Sequence, residues 1–427
     1  MRPIATPVFT ATKQRTPFCS LFLLTAFIFI FSSSQKTASA MPMFARKHSV
    51  PCSTCHTSPP KLNEAGYKFR VAGFRFPGED GSQKDFNFLD YSSVRLQLRY
   101  DASRTEAGTT TTDSYRFRVQ AVEAYPLTGA WGKHFSTNFK VSWLSGDGSP
   151  TIENAHVRYT REKAKTTYTV RAGIFHLYDG YEASDSPATI SRPLMQTQTA
   201  SFEQNTFFRT WGFDQLGVEV GLDHRRTSIR AAIFNGVELH RTQSGLRAYS
   251  AQGGPLTREA ALPSSNTPDF QVFVNQRLTR KGGSLALHYY HGNITLPTAA
   301  PVNSFRNHFD RLAAYGSYPL AKRLNVAAGY QYGQDDRANG QSFKNQGAFV
   351  EASTPLANLS EVGFRYDFFD PARNRSSNET NGITTYANLW FKEQFRVVAE
   401  YQHRETTRGT LPTQAVNAFQ MRLIFIK

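Results

Sequence analysis

About sixteen stretches of this chain alternate apolar and polar residues one for one, and that period of two constrains the fold more than any other feature. Val94, Leu96, Leu98 and Tyr100 interleave with Arg95, Gln97 and Arg99, and Tyr115, Phe117 and Val119 interleave with Arg116, Arg118 and Gln120. The same pattern returns in Tyr168/Val170/Ala172/Ile174, Leu216/Val218/Val220/Leu222 and Ile229/Ala231/Ile233. It recurs in Leu324/Val326/Ala328/Tyr330, Val362/Phe364/Tyr366/Phe368 and Phe395/Val397/Ala399/Tyr401, and closes on Phe419, Met421, Leu423 and Phe425. Successive side chains of a strand point to opposite faces, so each stretch presents one apolar and one polar face. Many approach the roughly 9–11 residues that a tilted membrane strand requires.

The connections sharpen this. With a first strand starting near Tyr91, short connections at 126–132, 162–165, 223–226, 279–283, 319–322, 354–359 and 392–394 alternate with longer polar ones. The long ones include 101–114, 177–213, 237–268 and 370–381. Short turns on one side and long loops on the other are the signature of a transmembrane barrel. A soluble sandwich gives no such rhythm and divides a chain this long into domains. The expected fold class is all-β: a transmembrane antiparallel β-barrel of about 16 strands, with a small helical segment before it. Aromatic residues at 13%, charged residues at 19% and a mean hydropathy of −0.45 suit such alternation.

The first 40 residues read as an export signal. Arg2, Lys13 and Arg15 precede a largely apolar run from Pro17 to Phe31, and Ala38-Ser39-Ala40 has the small-residue cleavage pattern. That run is short for a permanent helix, which needs about 20 apolar residues. The expected organisation is a signal peptide at 1–40, a small segment at 41–88 and a porin-like barrel at 89–427, placed in the cell outer membrane.

Cys52-Ser53-Thr54-Cys55-His56 lies in the small segment. Two thiols about one turn apart, followed by histidine, form the attachment signature of haem c: each thiol makes a thioether and the imidazole is an axial ligand. The chain has three cysteines and Cys19 lies in the leader, so no disulfide framework competes for these two. A segment of this size lacks a core of its own and orders around a cofactor or a neighbouring surface. Ser58 is expected to cap a helix starting at Pro59-Pro60, with Leu62, Ala65, Gly66, Phe69 and Ala72-Gly73 on one side. Lys61, Lys68 and Arg70 are then expected to stay in water or to reach the haem propionates. The second axial ligand is open between Met43 and His48, the nearest residues with suitable donors.

Inside the barrel, Arg95, Arg99, Arg158, Arg171, Arg230, Arg365 and Arg396 alternate with apolar residues, interspersed with Glu123, Glu219, Glu351, Asp367 and Glu400. They make either a mixed-charge pore wall or an arginine-biased lumen that draws anions. The net charge is +16, and setting aside Arg2, Lys13, Arg15 and Lys36 of the leader leaves the mature chain basic. An exported barrel excludes nucleic acid as a partner class; outer-membrane lipid and anionic solutes fit the charge instead.

Phe44-Ala45-Arg46, the Cys52–His56 motif, Leu62-Asn63, Gly66, Phe69 and Gly73-Phe74, followed by a barrel, resemble the fused monohaem cytochrome–porins of the bacterial outer membrane. The residue-level likeness is concentrated in 42–76. It implies that Cys52, Cys55 and His56 hold one covalent haem c and that the barrel presents it near the cell exterior. It further implies one-electron transfer, with extracellular Fe(II) as donor and a soluble periplasmic cytochrome as acceptor, an Fe(II):cytochrome c oxidoreductase. Asp179, Glu182, Asp335 and Asp336 are acids available on external loops to attract such a cation. The chain departs from many barrels by ending Phe425-Ile426-Lys427 rather than on an aromatic residue. The competing expectation is an anion-preferring solute porin with the haem segment as a plug.

Overall fold

The computed structural model describes residues 42–427 except 81–85, 145–149, 177–188, 198, 203–205, 210–213, 236, 243–244, 251–267, 280–282, 298–303, 337–341, 358, 374–377 and 392–393. The signal peptide at 1–40 therefore lies outside the described residues, as does Met41, its expected successor.

The closed ring contains 17 segments; one is the three-residue piece Gly129–Trp131, and the other sixteen are full strands from Ser93–Ala107 to Leu411–Ile426. Each strand runs antiparallel to the next, and Thr110–Tyr125 pairs directly with Phe135–Leu144 as well as through the short piece. The ring shuts where the last strand meets the first, in register from Ile426↔Arg95 to Gln414↔Ala107. No helix among the described residues is long and apolar enough to cross a membrane, so the crossing is made by strands.

The alternation sorts side chains as expected. Val218, Val220, Leu287 and Val350 are 50%, 52%, 53% and 58% exposed on the outside, whereas Glu219, His288 and Glu351 beside them are 3%, 0% and 2% exposed within. Toward the long-connection end, outward tyrosines donate to neighbouring amides: Tyr330 to Gln346 Oε1 (3.2 Å), Tyr366 to Asn381 Oδ1 (2.8 Å) and Tyr401 to Asn417 Oδ1 (2.9 Å). At the short-turn end, the ring pairs Phe135–Tyr159 and Phe395–Phe425 lie 5.5 and 5.1 Å apart. Two aromatic belts bounding an apolar band are what a barrel needs at the two lipid–water interfaces.

One connection differs from expectation. Residues 101–114 are not a long loop: the ladder continues through Ala107↔Thr110, and only Gly108 and Thr109 turn the chain. Gly108 takes φ +59°, a value that favours glycine, and the threonines after it are β-branched strand formers.

The lumen is filled rather than open among the described residues. Its arginines face acids: Arg95 meets Glu123, which Lys140 also approaches at 3.2 Å, Arg171 meets Glu219 at 2.7 Å, and Arg311 meets Asp335 at 2.8 Å. Toward the long connections an apolar cluster takes over, including Phe175, Phe234, Phe273, Phe309, Phe349 and Phe369 from the inward faces of separate strands. Leu194 and Met195, on the short helix Leu194–Thr197 between two strands, pack into the same cluster. Val350→Lys, on the opposite face, should cost about 2–4 kcal/mol of folding free energy by placing a charge against the hydrocarbon band. Urea titration of protein refolded into bilayers, read by heat-modifiable gel mobility, checks this.

Candidate functional site: a cysteine–histidine segment seated in the short-turn mouth

The segment before the barrel consists of helix α1 (Pro42–His48), a 3-10 turn (Cys52–Thr54), a hairpin of His56–Ser58 with Lys61–Leu62, and helix α2 (Glu64–Val71). Its fixed point is Asn63. The Asn63 side-chain oxygen accepts from Gly66 N at 3.0 Å, which caps α2. Its Nδ2 donates to Ser53 O at 3.2 Å and Thr54 O at 3.0 Å, and its backbone N donates to Cys55 O at 3.0 Å. One side chain thus ties the helix start to the turn between the two cysteines. Gly66 completes the clamp: a Cβ there would stand 2.1 Å from Cys55 O, so only glycine lets α2 lie on the motif backbone.

The helix begins later than Ser58-Pro59-Pro60 suggested. Pro59-Pro60, joined by a cis bond, forms the hairpin turn, and the residue before a proline is biased away from helix, so the cap falls to Asn63. Ser58 instead donates its hydroxyl to Leu359 O at 2.8 Å on the barrel.

Cys52 and Cys55 lie outside any disulfide, and Cys55 N–H donates to Cys52 O at 3.0 Å, closing one tight turn between the thiols. Burial pushes the Cys55 thiol pKa up. Burial also pushes His56 down to about 4, and the nearby backbone of Lys61 and Pro60 opposes this only in part. The imidazole is therefore neutral near pH 7, the form that ligates a metal, and its Nδ1 is buried with no hydrogen-bond partner. Two adjacent thiols, a neutral imidazole with an orphaned ring nitrogen and a clamped turn are a donor set that fits haem c.

Met43 is completely buried. His48 bonds through Nδ1 to Glu79 Oε1 at 2.9 Å, and burial pushes its pKa down although Glu79 pulls it up.

The segment is bolted to the barrel around the whole short-turn mouth. Lys61 Nζ lies 2.9 Å from Glu361 Oε2 and 3.6 Å from Glu351 Oε1, and Asn388 Nδ2 donates to Pro59 O at 3.2 Å. Tyr67 donates to Asp223 Oδ1 at 3.1 Å under the guanidinium of Arg277, 4.2 Å from its ring. Arg158 Nη1 donates to Arg70 O at 2.6 Å, Arg75 Nε donates to Gly132 O at 3.0 Å, and Arg46 Nη2 donates to Ser92 O at 2.9 Å. Lys61 is thus held by wall carboxylates rather than left for propionates, while Lys68 stays in water and bonds Glu64 at 3.0 Å on its own helix. The motif stands at the short-turn end, opposite the long connections where the resemblance would have it presented.

The seat communicates with the lumen. Glu351, which faces Lys61, also accepts from Tyr386 at 2.9 Å and lies 3.9 Å from Arg365 Nη1. Arg365 in turn bonds Asp367 at 2.7 Å and Ser191 Oγ at 3.0 Å, on the stretch leading to Leu194–Thr197. Glu400 accepts from Ile190 N at 2.8 Å and Asp367 from Leu194 N at 3.1 Å, fixing that stretch across the lumen. These wall residues were readable as inward charges, but their partners come from distant turns that no local pattern announces.

The acids expected outside are otherwise placed. Asp335 is fully buried against Arg311 and Asn345, and Asp179 and Glu182 lie outside the described residues. No cluster of three or more His, Cys, Asp or Glu gathers as a metal site among the described residues.

No protein-family model matches the chain, and no curated protein matches it in sequence. Solved structures do match. An anion-selective porin from Comamonas acidovorans superposes with a TM-score of 0.54 at 11% identity, over 78% of this chain and 99% of its own. The outer-membrane channel DcaP of Acinetobacter baumannii gives 0.51 at 11% identity, over 79% of this chain and 97% of its own. The chain has the fold of an outer-membrane porin. With its apolar outer band, that fold places it in the outer membrane; at such identity the likeness reaches no further.

Two substitutions test the seat. Gly66→Ala should push α2 off the motif and make 42–76 sensitive to protease while the barrel stays folded, as mass mapping of fragments would show. Lys61→Met leaves Glu351 and Glu361 facing each other and should cost about 1–3 kcal/mol, measurable as a lower urea midpoint for release of the segment.

Proposed function

We propose that this outer-membrane barrel carries one haem c on Cys52 and Cys55 in its short-turn mouth and passes single electrons there. The observation that carries this is the motif itself: Asn63 and Gly66 hold its turn, His56 is kept neutral, and the surrounding segment is bonded to strands on every side of the mouth. Haem c, when bound, supplies an iron that cycles between Fe(II) and Fe(III). The chain's part is to hold the two thiols one turn apart, to offer a neutral imidazole and to shield the site from bulk water. The packed lumen supports the same reading, because paired arginines and a phenylalanine cluster suit a closed barrel better than a conducting one. Extracellular Fe(II) as donor and a soluble periplasmic cytochrome as acceptor follow from the resemblance of 42–76 to the cytochrome–porins.

Cys52→Ala and Cys55→Ala should each lower the covalent haem recovered with purified protein, and the double variant should abolish it, as pyridine haemochrome spectra and intact mass would show. Added Fe(II) should reduce the wild-type haem. An intact haem that stays oxidised removes iron as donor and leaves electron transfer standing.

The second reading is an anion-preferring solute porin in which the segment acts as a plug. The match to an anion-selective porin and the basic balance of the chain favour it. Planar-bilayer recording separates the two: large anion-selective currents from the intact protein support the porin, and a silent barrel supports the electron carrier.

A further inference from the structure

Resting on the haem reading above, we infer that His48, oriented by Glu79, is the second axial ligand, and that Met43 is not. The side chain of His48 is 7% exposed and its Nδ1 bonds Glu79 Oε1 at 2.9 Å, while its Nε2 is buried with no hydrogen-bond partner. A buried polar nitrogen left unpaired costs about 1–3 kcal/mol, so its presence asks for a partner. An imidazole that gives one nitrogen to a carboxylate and keeps the other unsatisfied is the arrangement found behind metal-bound histidines, where the carboxylate fixes tautomer and orientation.

Glu79 is itself held. Its Oε2 accepts from Phe76 N at 2.9 Å and its backbone N donates to Phe76 O at 3.1 Å, so a tight turn presents the carboxylate to the ring. Phe69 and Phe76 meet the imidazole edge-on at 5.3 and 5.1 Å, which leaves its orientation little freedom.

The helix faces separate the two candidates. Phe44 and His48 are four residues apart on α1, hence on one face, and both rings contact Phe69 of α2. Phe69 lies one turn along from Gly66, which rests on Cys55, so this face of α1 is turned toward the helix that carries the motif. Met43 shares its face with Lys47, about 100° around the helix, and Lys47 Nζ sits 4.0 Å from the centre of the Tyr91 ring beside the first barrel strand. The thioether thus accompanies the side of α1 turned to the barrel wall.

The test uses purified full-length protein and reads spin state and potential rather than turnover. Wild type should give the low-spin electron paramagnetic resonance of two axial imidazoles. His48→Ala should become high-spin, bind carbon monoxide when ferrous, and return to low-spin with added imidazole. Glu79→Gln should stay low-spin but shift its midpoint potential upward, because a neutral amide leaves the imidazole a weaker donor. Met43→Leu should leave the spectra unchanged. His48→Met provides a second variant should the alanine protein not fold; it should replace the bis-imidazole signature with that of methionine ligation. Retention of the bis-imidazole signal in a folded His48 variant, or its loss in Met43→Leu, overturns the assignment while the haem reading survives. Absence of covalent haem in wild type, read by mass, overturns that reading and this inference with it.

Discussion

In hydrocarbon an unpaired sheet edge has no partner for its N–H and C=O groups, so the two end strands of this chain have to find each other. Leu411–Ile426 and Ser93–Ala107 do so over the full band, and residues beyond the ladder extend the closure: Val94 N–H donates to Lys427 O at 2.8 Å, and Lys427 N–H donates back to Val94 O at 2.9 Å. Once the ring is shut, every inward side chain shares one enclosed volume. Charges there must be matched, which is why Arg171 faces Glu219 and Arg311 faces Asp335 instead of lining an anion path.

The enclosed volume has two occupants. Toward the long connections it holds the 189–197 stretch, fastened by Glu400, Asp367 and Arg365 and packed among phenylalanines. At the other end it holds the cysteine–histidine segment, fastened by Lys61, Tyr67 and Arg75. Glu351 and Arg365 stand between them and touch both, so the two fillings are parts of one polar network.

Much of the barrel was legible because a period of two needs only local residues to be read: Val218–Leu222 and Val362–Phe368 announce their faces unaided. The motif Cys52–His56 was legible for the same reason. The length of 101–114 was misjudged because polar threonines read as loop, whereas a projecting hairpin exposes both faces and tolerates them. The start of α2 was misplaced because Ser58 and Asn63 are both good caps, and the choice turned on Pro59-Pro60 being spent in a hairpin turn. Asp335 seemed external by its position near a strand end, yet its partner Arg311 belongs to the neighbouring strand and draws it inward. Partners of that kind come from the ring as a whole.

The cysteine–histidine segment precedes every strand it rests on. Its anchors reach from Phe135 to Asn388, so the place it occupies does not exist until almost the entire cylinder has been woven. Thioether formation, by contrast, needs both thiols within reach of a ligating enzyme on the periplasmic side. A haem on Cys52 and Cys55 therefore has to be joined to a still-extended leader portion of the polypeptide and carried in afterwards. Biogenesis of such a molecule would then run in a compulsory sequence, prosthetic group first and membrane insertion second.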